Sequence, residues 1–175
     1  MARIVGYIAS SLDGFIATPD DNLDWLTSQE FDSGEFPYDE FIAGIRTVVM
    51  GRGTYDWLEG QEMDWPYHGK RAIVVTSRPL DNPKGELEVW TRDVDDLIAH
   101  LRALEDGDVW MLGGGKLQMA FMERGALDEI EIYIVPELIG GGIPMFPATG
   151  FRASPKLLSV NLLPPGVVRL KYRFA

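Results

Sequence analysis

The chain has 175 residues, 46% of them hydrophobic and 25% charged, the proportions of one folded domain with one core. Its formal charge of −11 makes nucleic acid and anionic membranes poor partners, because both attract basic surfaces. With no cysteine, it has no disulfide, no thiolate nucleophile and no thiolate metal site. The first residues, Met1-Ala2-Arg3-Ile4-Val5-Gly6-Tyr7, lack the charged start and long apolar stretch of a signal peptide. No run reaches the roughly 18 apolar residues of a membrane span, so a cytoplasmic protein is expected.

Residues 3–10 predict a strand, and Ser11-Leu12-Asp13-Gly14 ends it with turn chemistry. Phe15-Ile16-Ala17 is a short extended stretch beyond the turn. Residues 22–28 and 38–45 each suit a short helix. Residues 47–50 form a compact apolar strand, with a helix starting over 54–58, and residues 71–76 and 87–91 are two further strands. Asp93 stands where a helix N-cap belongs, because Val94, Leu97, Ile98, Leu101 and Leu104 follow at helical spacing. Residues 108–112 predict a strand that runs through three glycines into a helix over 116–124. Residues 129–135 alternate as a strand does. Residues 156–163 and 167–174 flank Pro164-Pro165-Gly166 and read as an antiparallel hairpin. Strands alternate with helices up to about residue 125 and then follow one another. That order predicts a single α/β domain over residues 1–175, with a mostly parallel sheet and a C-terminal antiparallel hairpin.

The clearest local signal is Val109-Trp110-Met111-Leu112-Gly113-Gly114-Gly115-Lys116-Leu117. Glycines let the backbone approach a ligand closely, and the helix start beyond them offers free N–H groups to a pyrophosphate. A tight strand-to-helix turn without a ligand explains the same residues. The pattern is not G-x-G-x-x-G, so an ordinary Rossmann site is not indicated. A second strand ends in Met50-Gly51-Arg52-Gly53-Thr54, a third in Thr76-Ser77-Arg78 and a fourth in Thr91-Arg92. Ligands of open α/β sheets bind outside such carboxyl ends, and arginine suits phosphate. Gathered together, Arg52, Arg78 and Arg92 would suit a 2′-phosphate; taken singly, each is an ordinary surface cation.

These residues also carry a resemblance. In order and spacing, Ala9-Ser10-Ser11-Leu12-Asp13-Gly14-Phe15-Ile16-Ala17, Val49-Met50-Gly51-Arg52-Gly53-Thr54-Tyr55, Leu112-Gly113-Gly114-Gly115-Lys116-Leu117, Gly125-Ala126-Leu127-Asp128-Glu129-Ile130 and the stretch from Pro136 to Phe146 resemble the dihydrofolate reductase-like superfamily. Within it, the chain is most similar to the C-terminal reductase domain of the bifunctional riboflavin-biosynthesis deaminase–reductase. The resemblance implies a three-layer dihydrofolate reductase-like fold, NADPH as cofactor, a small heterocyclic substrate and a homodimer. By similarity, Gly51, Arg52 and Thr54 would hold cofactor phosphates, and Ser77, Arg78 and Arg92 would surround the 2′-phosphate. Gly113, Gly114 and Gly115 would pass under the pyrophosphate and nicotinamide side, where Lys116 and Leu117 open the helix. Ala9 and Ile16 would meet the nicotinamide.

The match departs from the reductases at the catalytic carboxylate. Glu35, Asp39 and Glu40 fall in the right region, but none aligns without a gap, and Asp24-Trp25 lies earlier. Asp13 is the first candidate for an active-site carboxylate, either near the nicotinamide or as a turn residue bonding its own backbone. Asp24 is the second, with helix capping as the alternative. Phe15, Trp25, Phe41 and Trp57 would either wall a flat ring site or pack in the core. Gly140-Gly141-Gly142 reads as a loop that borders the substrate or merely turns the chain. His68 and His100 have no ligand-spaced neighbours, so no metal site is expected, and His100 is expected at the surface. The function that follows is hydride transfer from NADPH to a pterin-like or ribosylaminopyrimidine substrate. Dihydrofolate reduction, a non-catalytic nucleotide-binding protein and a purely structural dimer are the alternatives.

Overall fold

The computed structural model describes residues 1–27, 37–81, 83 and 86–174. Ten strands and five helices follow in chain order: β1 (Ile4–Ser11), β2 (Phe15–Ala17), α1 (Asp24–Thr27), α2 (Tyr38–Gly44), β3 (Ile45–Gly51), α3 (Arg52–Gly60), β4 (Arg71–Val75), β5 (Leu87–Trp90), α4 (Val94–Arg102), β6 (Asp108–Gly113), α5 (Gly115–Glu123), β7 (Glu129–Val135), β8 (Ile143–Pro144), β9 (Lys156–Leu163) and β10 (Val167–Arg173). Eight strands make one sheet in the order β5-β4-β3-β6-β1-β7-β10-β9, and β2 pairs with β8 in a separate ribbon. The strands from β5 to β7 are parallel, while β10 runs antiparallel to both β7 and β9.

The central parallel strands are buried on both faces, as parallel sheets generally are. On one face, Leu97 and Leu101 of α4 and Met119 and Met122 of α5 pack onto Ile4, Val49, Val109 and Ile130. On the other, Tyr55 and Leu58 of α3 and the connecting Trp65 and Tyr67 cover Val5, Val48, Val74 and Trp110. This is a three-layer dihydrofolate reductase-like arrangement. Asp93 caps α4 as its position suggests, accepting a hydrogen bond from the Asp96 amide at 2.8 Å.

Two features depart from the sequence reading. The carboxylates of Glu129 and Glu131 on β7 are buried, only 6% and 8% exposed. Their partners come from the neighbouring β10: Arg173 donates to Glu129 at 2.7 Å and Arg169 to Glu131 at 2.8 Å. A buried carboxylate needs such a partner to stay charged. His100 is only partly at the surface. Its ring is half-buried against Trp90, 5.3 Å between centroids, because α4 turns that side towards β5. No helix among the described residues is long and apolar enough to cross a membrane.

Candidate functional site

The parallel strands deliver their carboxyl ends to one edge, where α3 and α5 begin. Each helix is nine residues long and starts behind a glycine in extended backbone, Gly51 for α3 and Gly114 for α5. Neither glycine can donate a side-chain cap, so the first-turn N–H groups of both helices keep their partial positive charge. The two starts touch: a Cβ on Gly51 would lie 3.8 Å from the Gly114 amide nitrogen, and one on Gly113 would lie 3.4 Å from the Thr54 hydroxyl. The Gly113–Gly114 peptide is cis. By contrast α4, which starts elsewhere, is capped by Asp93.

A cavity of about 600 Å³ opens beside these helix starts. Its wall includes Gly51, Arg52, Gly53 and Thr54 together with Gly113, Gly114, Gly115, Lys116 and Leu117. Its wall also takes Tyr7, Ile8, Ala9, Ile16, Ala17, Leu23, Leu26, Trp57, Ile143 and the exposed Asp21. The structure therefore brings Ala9, Ile16, Gly51, Arg52, Thr54 and the Gly113–Leu117 stretch to one cavity. Gly115 fits under the β8 backbone, since a Cβ there would stand 2.7 Å from the Pro144 carbonyl oxygen.

Ser77, Arg78 and Arg92 lie outside the cavity wall and are exposed. Their strands are nonetheless neighbours, because β3, β4 and β5 are consecutive in the sheet. Arg52 joins the first two strand ends by donating to the Pro79 carbonyl at 2.9 Å, and it also donates to Asp56 at 2.6 Å. The Arg92 guanidinium lies over the Trp90 ring, 4.0 Å from its centroid, and 3.9 Å from the Asp96 carboxylate.

The carboxylates are placed differently from the sequence expectation. Asp13 accepts hydrogen bonds from the Ser11 hydroxyl at 2.6 Å, the Ile139 amide at 3.2 Å and the Gly140 amide at 2.8 Å. The Ser11 bond, with help from the two amides, holds its carboxyl below the usual range. Asp13 thus ties the turn after β1 to the 139–140 loop. Asp24 exchanges hydrogen bonds with Asn22 at the start of α1 and lies outside the cavity wall. Asp39 and Glu40 are exposed on α2; Glu35 and Ser28 lie outside the described residues.

Of the four aromatic candidates, Trp57 lines the cavity. Phe41 stacks on Tyr7 at 4.4 Å, Trp25 packs against Tyr133 and Val135, and Phe15 pairs with Pro144 in the β2–β8 ribbon. Asp21, Tyr7, Leu23, Leu26 and Ile143 are cavity residues that sequence reasoning missed. Tyr7 sits on the first strand one alternation before Ala9, which was the available signal. Asp21 had none beyond its carboxylate, since its position depends on the turn from Thr18 to Asn22. Gly142 borders the site as a close-approach residue: at φ 148° its Cβ would collide with the Ala17 carbonyl.

A second, smaller cavity of about 270 Å³ lies at the opposite strand ends, among Arg3, Asp108, Glu129, Glu131, Arg169 and Lys171. Its charges are mutually paired, with Lys171 3.2 Å from Glu129 and 3.3 Å from Glu131. Among the described residues, no group of three metal-ligating side chains is gathered.

Fold and cavity together define a dihydrofolate reductase-like domain with a cavity at the carboxyl ends of its parallel strands. Residues 3–169 match the RibD C-terminal domain family, and the chain belongs to it. It is 33% identical over 144 residues to the uncharacterized protein YwjB of Bacillus subtilis, covering 82% of each chain. It superposes with a TM-score of 0.89 and 27% identity on a Shewanella sp. PV-4 protein whose name assigns it to riboflavin biosynthesis, covering 100% of this chain and 99% of that one. Dihydrofolate reductase from Enterococcus faecalis, solved with NADP(H), shares the fold at a TM-score of 0.70 and 19% identity, covering 98% and 96%.

Proposed function

We propose that this protein is an NADPH-dependent reductase of pterin-like or aminopyrimidine substrates. The observation that carries the reading is the meeting of two uncapped, glycine-led helix starts in one cavity. Two such ends suit a pyrophosphate, which needs N–H donors at close range and no side chain in the way. Arg78 and Arg92 at the next strand ends offer forks for a 2′-phosphate, with Ser77 beside them.

When bound, NADPH supplies the hydride. Ala9 and Ile16 would set the nicotinamide against the ring to be reduced, and Leu23, Leu26, Trp57 and Ile143 would keep water from it. Tyr7 contributes a hydroxyl whose pKa burial pushes up, so it stays a hydrogen-bond donor at neutral pH. Asp13 acts at one remove, by holding the 139–140 loop in place. A homodimer accompanies this reading. The edge strand β9 exposes Leu157, Val160 and Leu162, an apolar strip that a second copy would cover.

The test is NADPH oxidation, followed by its absorbance, with a panel of aminopyrimidines and dihydropterins. Turnover that requires a ring compound is the expected result. Cofactor binding without turnover on any of them would make the protein a nucleotide-binding module instead.

A further inference from the structure

Reduction of a C=N bond needs a proton as well as a hydride, and neither Asp13 nor Asp24 lines the large cavity. Of the polar side chains that do line it, Asp21 and Lys116 are exposed. Arg52 is held by Asp56 and the Pro79 carbonyl, and the Thr54 alcohol is too weak an acid. The other polar side chain in the wall is the half-buried phenol of Tyr7. Its ring is stacked on Phe41 at 4.4 Å and tilted against Tyr133 at 4.8 Å. Tyr7 and Ala9 are alternate residues of β1, so both face the same side of the sheet.

Behind Tyr7 a chain of polar groups runs along that face of the sheet, away from the cavity. β7 sets Glu131 opposite Tyr7 and Tyr133 opposite Ala9, and β10 sets Arg169 opposite Tyr133 and Lys171 opposite Glu131. Hydrogen bonding between the Tyr7 and Tyr133 hydroxyls offsets part of the rise that burial gives the Tyr7 pKa. The Tyr133 side chain is buried, and its hydroxyl donates to Glu131 Oε2 at 3.3 Å. Arg169 holds that same oxygen at 2.8 Å, and the Lys171 ammonium lies 3.3 Å from Oε1. Glu131 and Lys171 line the second cavity, at the opposite strand ends, where the Lys171 side chain is 30% exposed. Two hydroxyls and a carboxylate thus link one cavity to the other.

Resting on the NADPH-reductase reading, we propose that the Tyr7 hydroxyl gives the proton that accompanies hydride transfer, and that Tyr133 and Glu131 resupply it from the second cavity. The hydride adds to the carbon of a C=N bond and the π pair moves to nitrogen. The new N–H bond forms as the Tyr7 O–H bond breaks. Tyr7 then takes a proton from the Tyr133 hydroxyl, Tyr133 takes one by way of Glu131, and Glu131 draws it from water beside Lys171. One solvent proton is consumed in each turnover. The nitrogen anion left by hydride addition is a far stronger base than a phenolate, so a phenol of raised pKa still gives up its proton downhill. Apolar side chains on this face would spare the cost of burying oxygens; the oxygens supply a continuous path for a proton instead.

Two measurements on the full chain test the route. The first is NMR of the free protein, isotope-labelled at its tyrosine rings, with Tyr7→Phe used to assign the Tyr7 signal. Tyr133→Phe keeps the ring and removes only the hydroxyl, and it is expected to shift the Tyr7 signal with no cofactor or substrate present. The second is steady-state NADPH oxidation with a dihydropterin, whose C=N bond is the acceptor. Tyr7→Phe is expected to lower kcat by about 100-fold or more, as loss of a general acid does. Tyr133→Phe is expected to lower kcat by about ten-fold while KM stays within about two-fold, because its hydroxyl acts through Tyr7 and not on the substrate. A Tyr7→Phe protein that turns over as fast as the unaltered one overturns the proposal, as does a Tyr7 signal or a kcat indifferent to the Tyr133 hydroxyl. If the unaltered protein oxidises NADPH with no dihydropterin or aminopyrimidine, the reductase reading falls and the proton route with it. Turnover that survives in Tyr7→Phe overturns the proton route alone.

Discussion

The Asp13 carboxylate and the Gly140 amide, 127 residues apart in the chain, meet in a hydrogen bond of 2.8 Å. The bond ties the turn after β1 to the loop before β8. Asp13→Asn is expected to speed amide exchange at Ile139 and Gly140 while leaving β1 and β7 protected, since the loss is local. The native pKa of Asp13 is lowered, so the bond's contribution is present above the ordinary carboxylate value. It is lost as pH falls through the lowered native value. Protection of the two amides followed down a falling pH series would show the loop loosening only below the ordinary carboxylate range in the unaltered protein and at every pH in the variant.

The contact between Gly142 and Ala17 sets the β2–β8 ribbon. Gly142→Ala puts a methyl group into the Ala17 carbonyl at a backbone angle foreign to alanine. A loss of about 2–4 kcal/mol in urea unfolding is expected. Gly44→Ala faces open space and is expected to change stability by less than about 0.5 kcal/mol.

The buried Glu129 titrates in the opposite sense from an unpaired buried acid. Burial alone would raise its pKa, but hydrogen bonds from Arg173 and Lys171 outweigh burial and lower it. Its contribution is therefore full above about the ordinary glutamate value and fades as pH drops through the lowered native value. Glu129→Gln is expected to cost about 1–3 kcal/mol at pH 7 and to flatten the acid limb of a stability–pH curve. An unchanged acid limb would show that the pair contributes nothing.

Much of the fold was legible because local chemistry and tertiary structure agree at many positions. Asp93 caps the helix it precedes, and within the two glycine runs Gly115 and Gly142 do sit where a side chain would collide with neighbouring backbone. The sheet order was not legible: nothing local tells β6 to insert between β3 and β1. The two-residue strand β8 carries no pattern at all. The carboxylates of β7 read as polar positions, and only their partners on β10 reveal why they are buried. In the cavity, glycines and arginines at strand ends were visible as motifs. Asp21 was not, because its place depends on how the chain folds back over the sheet.

Discrimination between the two nicotinamide dinucleotides should reside at the ends of β4 and β5. The double substitution Arg78→Ala with Arg92→Ala is expected to weaken NADPH by about 10- to 100-fold, as loss of charge-assisted phosphate contacts does. NADH affinity should stay within about two-fold. Parallel losses for both cofactors would place the arginines elsewhere on the ligand.

Thermal unfolding of the purified protein, titrated with NADPH and separately with NADH, tests the assignment of the glycine-rich cavity most directly. Stabilisation by NADPH is expected, reaching about 2.7 kcal/mol at 100 times its Kd, with a much smaller effect of NADH at the same concentration. A melt that neither dinucleotide moves would contradict the nucleotide site, and the paired helix starts at Gly51 and Gly114 would then be turns and nothing more.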